Sequence, residues 1–447
     1  MNIEECYWLK DIIRKDYPKL EENICVDVAV IGGGISGVLC SYFLNKAGFK
    51  VTLFEKEKLY NGSTRHTTAH ISKVEDTIYQ DLQSLYGLSY ARKYYKSQVD
   101  SIKEYDRLIN ELQIDCDYRN VSSNFYLNGD ISKLEDEANI LKIFDDKCIF
   151  NKDTYIFDKK VDGVLMSLDN RTFHPLKFLE GIPKDFTIYE KTCIVDIDFE
   201  EKVLISSDDK KVSFNYCVCC TNFPLLKVKG LYPLKMYKSI SYNVYYQKKD
   251  GFCLDLYEEA KDNGITYRSH NGVLIQGGLD NRCGVEMPEL SEFVKDVSDV
   301  FRKEEFVQES FESACDSITF DGIPYIGRYV KNNDNVYLVT GFNKYGMLKA
   351  MTAAREVTSL IKDKKSLYND IFNPQRKIIN SKYLGNHLLS TMKGFIFSNV
   401  KTTHRCTHLH GKLFYNKVSG VYECPCHGSR FTYSGKVIDG PANEDLK

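Results

Sequence analysis

The sequence predicts an α/β protein with an α+β insertion and a small all-β module at its C-terminus. Three observations carry this expectation. A glycine-rich turn joins a β-branched run to a helix-period run near the N-terminus; the middle of the chain alternates charged helical and strand-like stretches with no internal repeat; and the text changes after Asn373-Pro374 into a short segment punctuated by cysteine and histidine.

The first element is the run 26–31 (Val-Asp-Val-Ala-Val-Ile), followed at once by Gly32-Gly33-Gly34-Ile35-Ser36-Gly37 and the helical run 38–44, which Gly48 closes. A second β-rich run, 50–54, ends on Glu55. This is a βαβ unit, which implies a parallel sheet with a ligand at the carboxyl ends of its strands. Between 71 and 315 the stretches 90–112 and 130–144 read as helices, and 187–197, 216–220, 240–246 and 273–276 as strands. From Asp321 the pattern of strand, loop and helix returns: a turn over 321–327, a buried-type strand over 335–340, a loop over 341–346 and an amphipathic helix over 347–361, expected to rejoin the first sheet. Lys362-Asp363-Lys364-Lys365 and Asn373-Pro374 then mark a solvated boundary.

Composition limits what such a protein does. Of 447 residues, 60 are Lys or Arg and 62 are Asp or Glu, a net charge of −2, which argues against capture of nucleic acid or an anionic membrane. A hydrophobic share of 43% suffices for the cores of two or three domains. The start, Met1-Asn2-Ile3-Glu4-Glu5, has no secretory pattern, and 15 cysteines, an odd count, point to reduced thiols in a cytoplasm. The most apolar window, 24–44, holds Asp27 together with glycines and serines, so no membrane span is expected.

Gly32, Gly34 and Gly37 form G-x-G-x-x-G, with Ile35 and Ser36 opening the helix between them. The first glycine permits a tight turn, the second a close approach to a pyrophosphate, and the third close packing of helix on strand. Glu55, eighteen residues after Gly37, is placed to accept ribose hydroxyls. The motif by itself leaves NAD and FAD both open. Near the other end, Cys406-Thr407-His408 and Cys424-Pro425-Cys426-His427 are separated by fifteen residues, which puts one thiolate and one imidazole on each of two loops. Cys406 and Cys424 suit one iron of a 2Fe-2S centre, and His408 and His427 the other. The same four residues are also a structural zinc set. The runs 413–415 and 421–423 read as a hairpin that brings the loops together.

With the Pro-Cys-His-Gly-Ser surround, the C-terminal segment resembles the Rieske iron-sulfur domain. The N-terminal glycine motif, the stretch Asn61-Gly62-Ser63-Thr64-Arg65-His66-Thr67-Thr68-Ala69, the turn 321–327 and the loop 341–347 resemble the FAD-dependent amine oxidase group that includes glycine oxidase and sarcosine oxidase. From Tyr7-Trp8 to Gly440-Pro441-Ala442 the chain is similar to bacterial FAD-dependent oxidoreductases with a C-terminal Rieske domain. The resemblance implies a Rossmann-like FAD-binding domain with an inserted substrate domain over residues 1–372, its FAD-binding parts at about 24–75, 160–235 and 316–362 and its substrate parts at about 76–159 and 236–315. A linker (373–385) and a trimmed 2Fe-2S module (386–447) follow. It further implies that Glu55, Lys56 and Ile194 meet the adenosine, that Gly62, Ser63, Thr64, Thr67, Thr68 and Ala69 meet the pyrophosphate and flavin edge, and that Thr221, Gly322, Gly341, Asn343, Lys344, Gly346 and Met347 complete the flavin site. No cysteine lies in the loop 341–347, so FAD is expected to be non-covalent.

Departures from these relatives carry expectations of their own. Gly411 stands where respiratory-type Rieske proteins have a cysteine that bridges to the counterpart of Cys426, and Phe431 stands where they have a tyrosine donor; Ser429 is kept. Fewer donors to the reduced cluster imply a potential toward the low end of the span of about −150 to +300 mV. Asn222 and Asn281 replace histidines common in the relatives. Lys344, His66 and His70, with Tyr345, are the candidate catalytic constellation, and a cation at Lys344 would stabilise an anionic reduced flavin. The expected activity is dehydrogenation of a small amine, amino acid or related compound, with electrons leaving through the cluster to a soluble carrier such as ferredoxin or flavodoxin; a homo-oligomer is compatible with this. The alternative is a redox sensor or carrier without turnover.

Overall fold

A computed structural model describes residues 6–226, 229–248, 252–261, 263–286, 290–301, 306–368, 370–378 and 404–446. The expected boundary 373–385 and the start of the C-terminal module therefore fall partly outside the described residues.

The run of β-branched residues after Ile24 forms the strand Ile24–Ile31 at the centre of the first sheet, because it is flanked on both sides by equally apolar neighbours. It pairs in parallel with Val51–Phe54 and with Lys211–Cys219. Lys211–Cys219 pairs in parallel with Val336–Thr340, so the late strand does rejoin the first sheet. Helices Ile35–Lys46 and Gly346–Lys362 pack against each other over this sheet, and their apolar faces are buried in the main core.

The second sheet has nine strands among the described residues, running from Phe306–Thr319 through Met236–Lys248, Val273–Arg282 and Arg119–Leu127 to Lys159–Thr172 and His70–Ile71. Helices Ile78–Tyr86, Leu88–Glu111 and Ser132–Ile143 belong to the same region. Two strands cross the approximate boundaries expected from the sequence. Residues 160–172, expected with the nucleotide sheet, lie in Lys159–Thr172, which pairs antiparallel with Arg119–Leu127. The boundary at 315–316 cuts through the strand Phe306–Thr319, which pairs along its length with Met236–Lys248. Both strands alternate polar and apolar residues, which suits a half-buried sheet but hides them in a charged text.

Among the described residues the C-terminal module forms a four-stranded antiparallel sheet, Phe414–Asn416, Val421–Glu423, Arg430–Phe431 and Val437–Asp439. The expected hairpin is its first pair. Among the described residues no helix is long and apolar enough to cross a membrane.

Candidate functional site

The glycine-rich turn is built by close approach. Gly32 has φ +106°, a left-handed conformation that favours glycine, and a Cβ on Gly37 would lie 1.8 Å from the Gly32 carbonyl oxygen. The helix therefore sits directly on the turn, with the amino end of Ile35–Lys46 open to a cavity, a ready site for a pyrophosphate. Thr64 Oγ1 accepts the Ile35 N–H at 3.0 Å and ties this end to the 62–69 stretch. Glu55 accepts the N–H groups of Gly33 (2.6 Å) and Glu57 (2.9 Å), which leaves carboxylate lone pairs for a ligand. Burial pushes its carboxyl up, and those two donors oppose the shift.

One cavity of about 1800 Å³ gathers almost every expected nucleotide-site residue: Gly32, Gly34, Ile35, Ser36, Glu55, Lys56, Gly62, Ser63, Thr64, Thr67, Thr68, Ile194, Thr221, Gly322 and the 341–347 loop. Gly37 and Ala69 do not line it; Gly37 packs beneath the turn, and buried Ala69 gives its carbonyl to Arg268. Two residues have other employment as well. Lys56 donates to the Ile438 carbonyl of the C-terminal module at 3.1 Å, and the Asn343 side chain binds Thr319, Gly322 and Gly341 backbone, fixing its own loop.

The three catalytic candidates also line the cavity, in different electrostatic states. Lys344 pairs with Asp280 at 2.5 Å; burial lowers its affinity for the proton, the carboxylate outweighs burial, and the ammonium is held above the ordinary lysine value. Burial, with the Arg268 charge, drives His70 down to about 3, so it is a neutral hydrogen-bonding group rather than a base near pH 7. His66 Nε2 accepts from Arg65 Nε at 2.9 Å, so its proton resides on Nδ1 and is donated to Glu312 at 2.9 Å. Glu312 is held in turn by the Tyr7 N–H at 2.6 Å. Cys6 completes a Cys6, His66 and Glu312 group whose ligand atoms lie within 4.8 Å of one another. Metal binding through Nδ1 would require the proton to move to Nε2, where Arg65 already donates.

Sequence reasoning missed Glu312 because it sits in an unremarkable polar strand that only the sheet carries to His66. His174 caps the helix Pro175–Gly181 by accepting the Lys177 N–H, outside the cavity lining. Asn222 lines the cavity with its side chain held by protein partners, donating to Ser63 Oγ and the Cys315 carbonyl and accepting from Ser317, whereas Asn281, outside the lining, donates to the Glu286 carbonyl.

At the C-terminus Cys406, His408, Cys424 and His427 are all buried, and the two imidazole centroids are 5.1 Å apart. The Cys424 thiol beside it, then burial, raises the Cys406 thiol. Burial and the Arg282 charge hold His427 neutral, down to about 4, which is the ligating form, and its Nδ1 is buried without a hydrogen-bond partner. Two thiols and two imidazoles so placed fit a cluster. Gly411 sits against Cys426, and Ser429 is fully buried, its hydroxyl directed to Cys406.

The module docks on the second sheet. Lys238, with no side-chain exposure, pairs with Asp439 at 2.5 Å. Gly284 N–H donates to Glu423 at 2.9 Å, Asn416 to Tyr242 OH at 2.9 Å, Arg430 to Ser313 Oγ at 3.0 Å, and Arg282 to the Cys426 carbonyl at 3.2 Å. Residues 436–443 close part of the same large cavity.

Comparisons with known proteins agree with this geometry. Residues 27–360 match the family model of the FAD dependent oxidoreductases, and residues 398–447 that of the Rieske [2Fe-2S] domain. A Bacillus subtilis (strain 168) protein named as a Rieske 2Fe-2S iron-sulfur protein, YhfW, is 28% identical over 99% of this chain and 97% of its own length. Gamma-glutamylputrescine oxidoreductase of Escherichia coli (strain K12) is 20% identical over 77% of this chain and 86% of its own. The glycine oxidase structure from Geobacillus kaustophilus covers 79% of this chain and 99% of that one, with a TM-score of 0.66 at 15% identity. With three quarters of its length matched by one model, the chain belongs to the FAD dependent oxidoreductase family and carries a C-terminal Rieske 2Fe-2S domain.

Proposed function

We propose that the protein dehydrogenates a small amine, amino acid or related compound and passes the electrons singly, through the Rieske centre, to an external carrier such as ferredoxin or flavodoxin. The observation that carries this reading is the shared cavity: its walls come from the glycine-rich turn at one end and from residues 436–443 of the C-terminal module at the other. When bound, FAD takes two electrons as a hydride equivalent and a 2Fe-2S centre handles one at a time. The amine class is supported by what the relatives are named for, glycine and gamma-glutamylputrescine, and the cytoplasm by cysteine usage.

The chain's own residues supply position and charge. Lys344, kept cationic by Asp280, presents positive charge where the 341–347 loop meets the cavity. Glu312 fixes the His66 proton on Nδ1 and leaves Nε2 facing Arg65, so the pair holds the imidazole in one orientation at the cavity wall. His70, neutral and buried, offers a hydrogen bond only.

The test is anaerobic mixing of the full chain with a panel of amines and amino acids while flavin absorbance is followed. Bleaching by one class of amine is the expected result. A panel that leaves the flavin oxidised while the cluster remains reducible by dithionite would replace this reading with that of a carrier without turnover.

A further inference from the structure

Two cysteines 32 residues apart in the chain meet between the cavity and the cluster loops. Cys283 follows the strand Val273–Arg282, Cys315 lies in Phe306–Thr319, and both strands flank Met236–Lys248. Their Sγ atoms are 3.3 Å apart, and the residues are only 1% and 3% exposed. A disulfide has a sulfur separation of about 2.05 Å, so closure asks for an approach of about 1.2 Å.

The surroundings give the pair a role beyond packing. Cys315 lines the cavity, and its carbonyl accepts from Ser63 Oγ at 3.1 Å and Asn222 at 2.6 Å. On the other side Arg282 reaches the Cys426 carbonyl, and a Cβ on Gly284 would lie 2.4 Å from Pro425 N, between two cysteines of the second cluster loop. The pair thus has the flavin cavity on one flank and the ligand loop on the other. Charges face it from three elements: Lys238 from the central strand, and Arg430 and Glu423 from the C-terminal module, with Asp439 balancing Lys238. Each cation is matched by a carboxylate, Lys238 by Asp439 and Arg430 by Glu423, and the neighbouring Cys315 thiol, then burial, holds the Cys283 thiol well above its ordinary value, so its proton must leave together with the electrons.

We propose that Cys283 and Cys315 form a redox-active thiol pair that closes to a disulfide when the cavity holds an oxidised flavin. Two S–H bonds break and one S–S bond forms; both electrons and both protons go to the flavin, which becomes its dihydro form, and the step reverses when reduced flavin is supplied. The acceptor rests on the FAD reading, whereas the thiol geometry does not. Such a pair stores two electrons beside a two-electron and a one-electron site, and a transient disulfide of this kind is the sort found in reducing compartments.

The experiment uses the full-length, FAD-loaded protein in two states, air-equilibrated and reduced with dithionite under argon. Each is unfolded in guanidinium chloride in the presence of N-ethylmaleimide, digested without reductant and mapped by mass spectrometry. The expected result is a Cys283–Cys315 linked peptide in air and two alkylated peptides after reduction. Reductive titration should consume two more electrons per chain than in C315S, in which Cys283 is alkylated in both states. Full alkylation of both cysteines in air, with the flavin band present, overturns the proposal. A preparation without a flavin band fails the FAD reading instead; diamide then serves as oxidant, a linked peptide supports the pair, and its absence overturns the pair as well.

Discussion

Lys344 is the residue whose charge state is best defined by its neighbours, since the Asp280 carboxylate 2.5 Å away outweighs the penalty of burial. K344M should lower the flavin midpoint potential and slow turnover at least tenfold, with D280N/K344M as the control for the unpaired carboxylate; an unchanged midpoint in a spectroelectrochemical titration would remove its assigned role. Gly411 offers a second residue-level test. A Cβ there would lie 2.7 Å from Cys426 Sγ, close to the distance of about 3 Å between a Cβ and the far sulfur of a disulfide. G411C should therefore bond to Cys426 and stabilise the cluster loops by up to about 3 kcal/mol, as expected for a fifteen-residue loop. Protection of Cys426 from alkylation and a higher temperature for thermal bleaching of the cluster would show this. The four ligand positions and the glycine motif were legible as letters because spacing alone defines them, while the Glu312 partner of His66 was not, because no local pattern links residues so far apart.

At the scale of elements, the C-terminal sheet is held to the flavoprotein by Met236–Lys248 through the pair of buried Lys238 with partly exposed Asp439. Breaking a fully buried pair by removing one partner costs about 3–5 kcal/mol, and loss of Lys238 costs less than that because the stranded Asp439 carboxylate still reaches water. K238M should expose the C-terminal module to limited proteolysis, and K238M/D439L should restore most of the resistance; equal digestion of all three proteins would show that the pair does not hold the module. A second element-level prediction concerns the contact of Trp8, His174 and His270. Burial lowers His174 to about 4 and, with the Arg268 charge, His270 to about 3, although Asp117 lies 3.1 Å from His270 and opposes its shift. Their unfolded values are near 6.5, so the unfolded chain binds more protons between these limits. Their contribution to stability is complete above about pH 6.5 and is lost as pH falls toward 4; H270Q should flatten the melting temperature over that window. The helices Leu88–Glu111 and Ser132–Ile143 were readable from periodicity within a few residues, whereas the shorter Ile78–Tyr86 was not, and neither was Lys159–Thr172, whose charged outer face masks the buried one.

For the whole molecule, direct docking of the C-terminal module means that the proposed electron exchange between flavin and cluster would be intramolecular. The rate at which the two absorption bands equilibrate after rapid mixing should be first order and unchanged over a tenfold range of protein concentration; a proportional rise would mean that exchange runs between molecules. Arg282, which donates to the Cys426 carbonyl and lies over the Tyr237 ring, adds positive charge beside the cluster and works against the low potential expected from Phe431. The sequence by itself determined a dinucleotide site and a four-ligand metal site, from three glycines where backbone must come close, a carboxylate at the end of the second strand, and two cysteines with two histidines on two loops; the choice of FAD and a 2Fe-2S centre came from resemblance. These signals are local, so they survive in the linear text. Tertiary structure alone decided which sheet received Lys159–Thr172, which acid holds His66, and where the C-terminal module lies over the cavity. It also decided that Cys283 meets Cys315, because side chains brought together by strand pairing across a sheet leave no periodic trace in the chain.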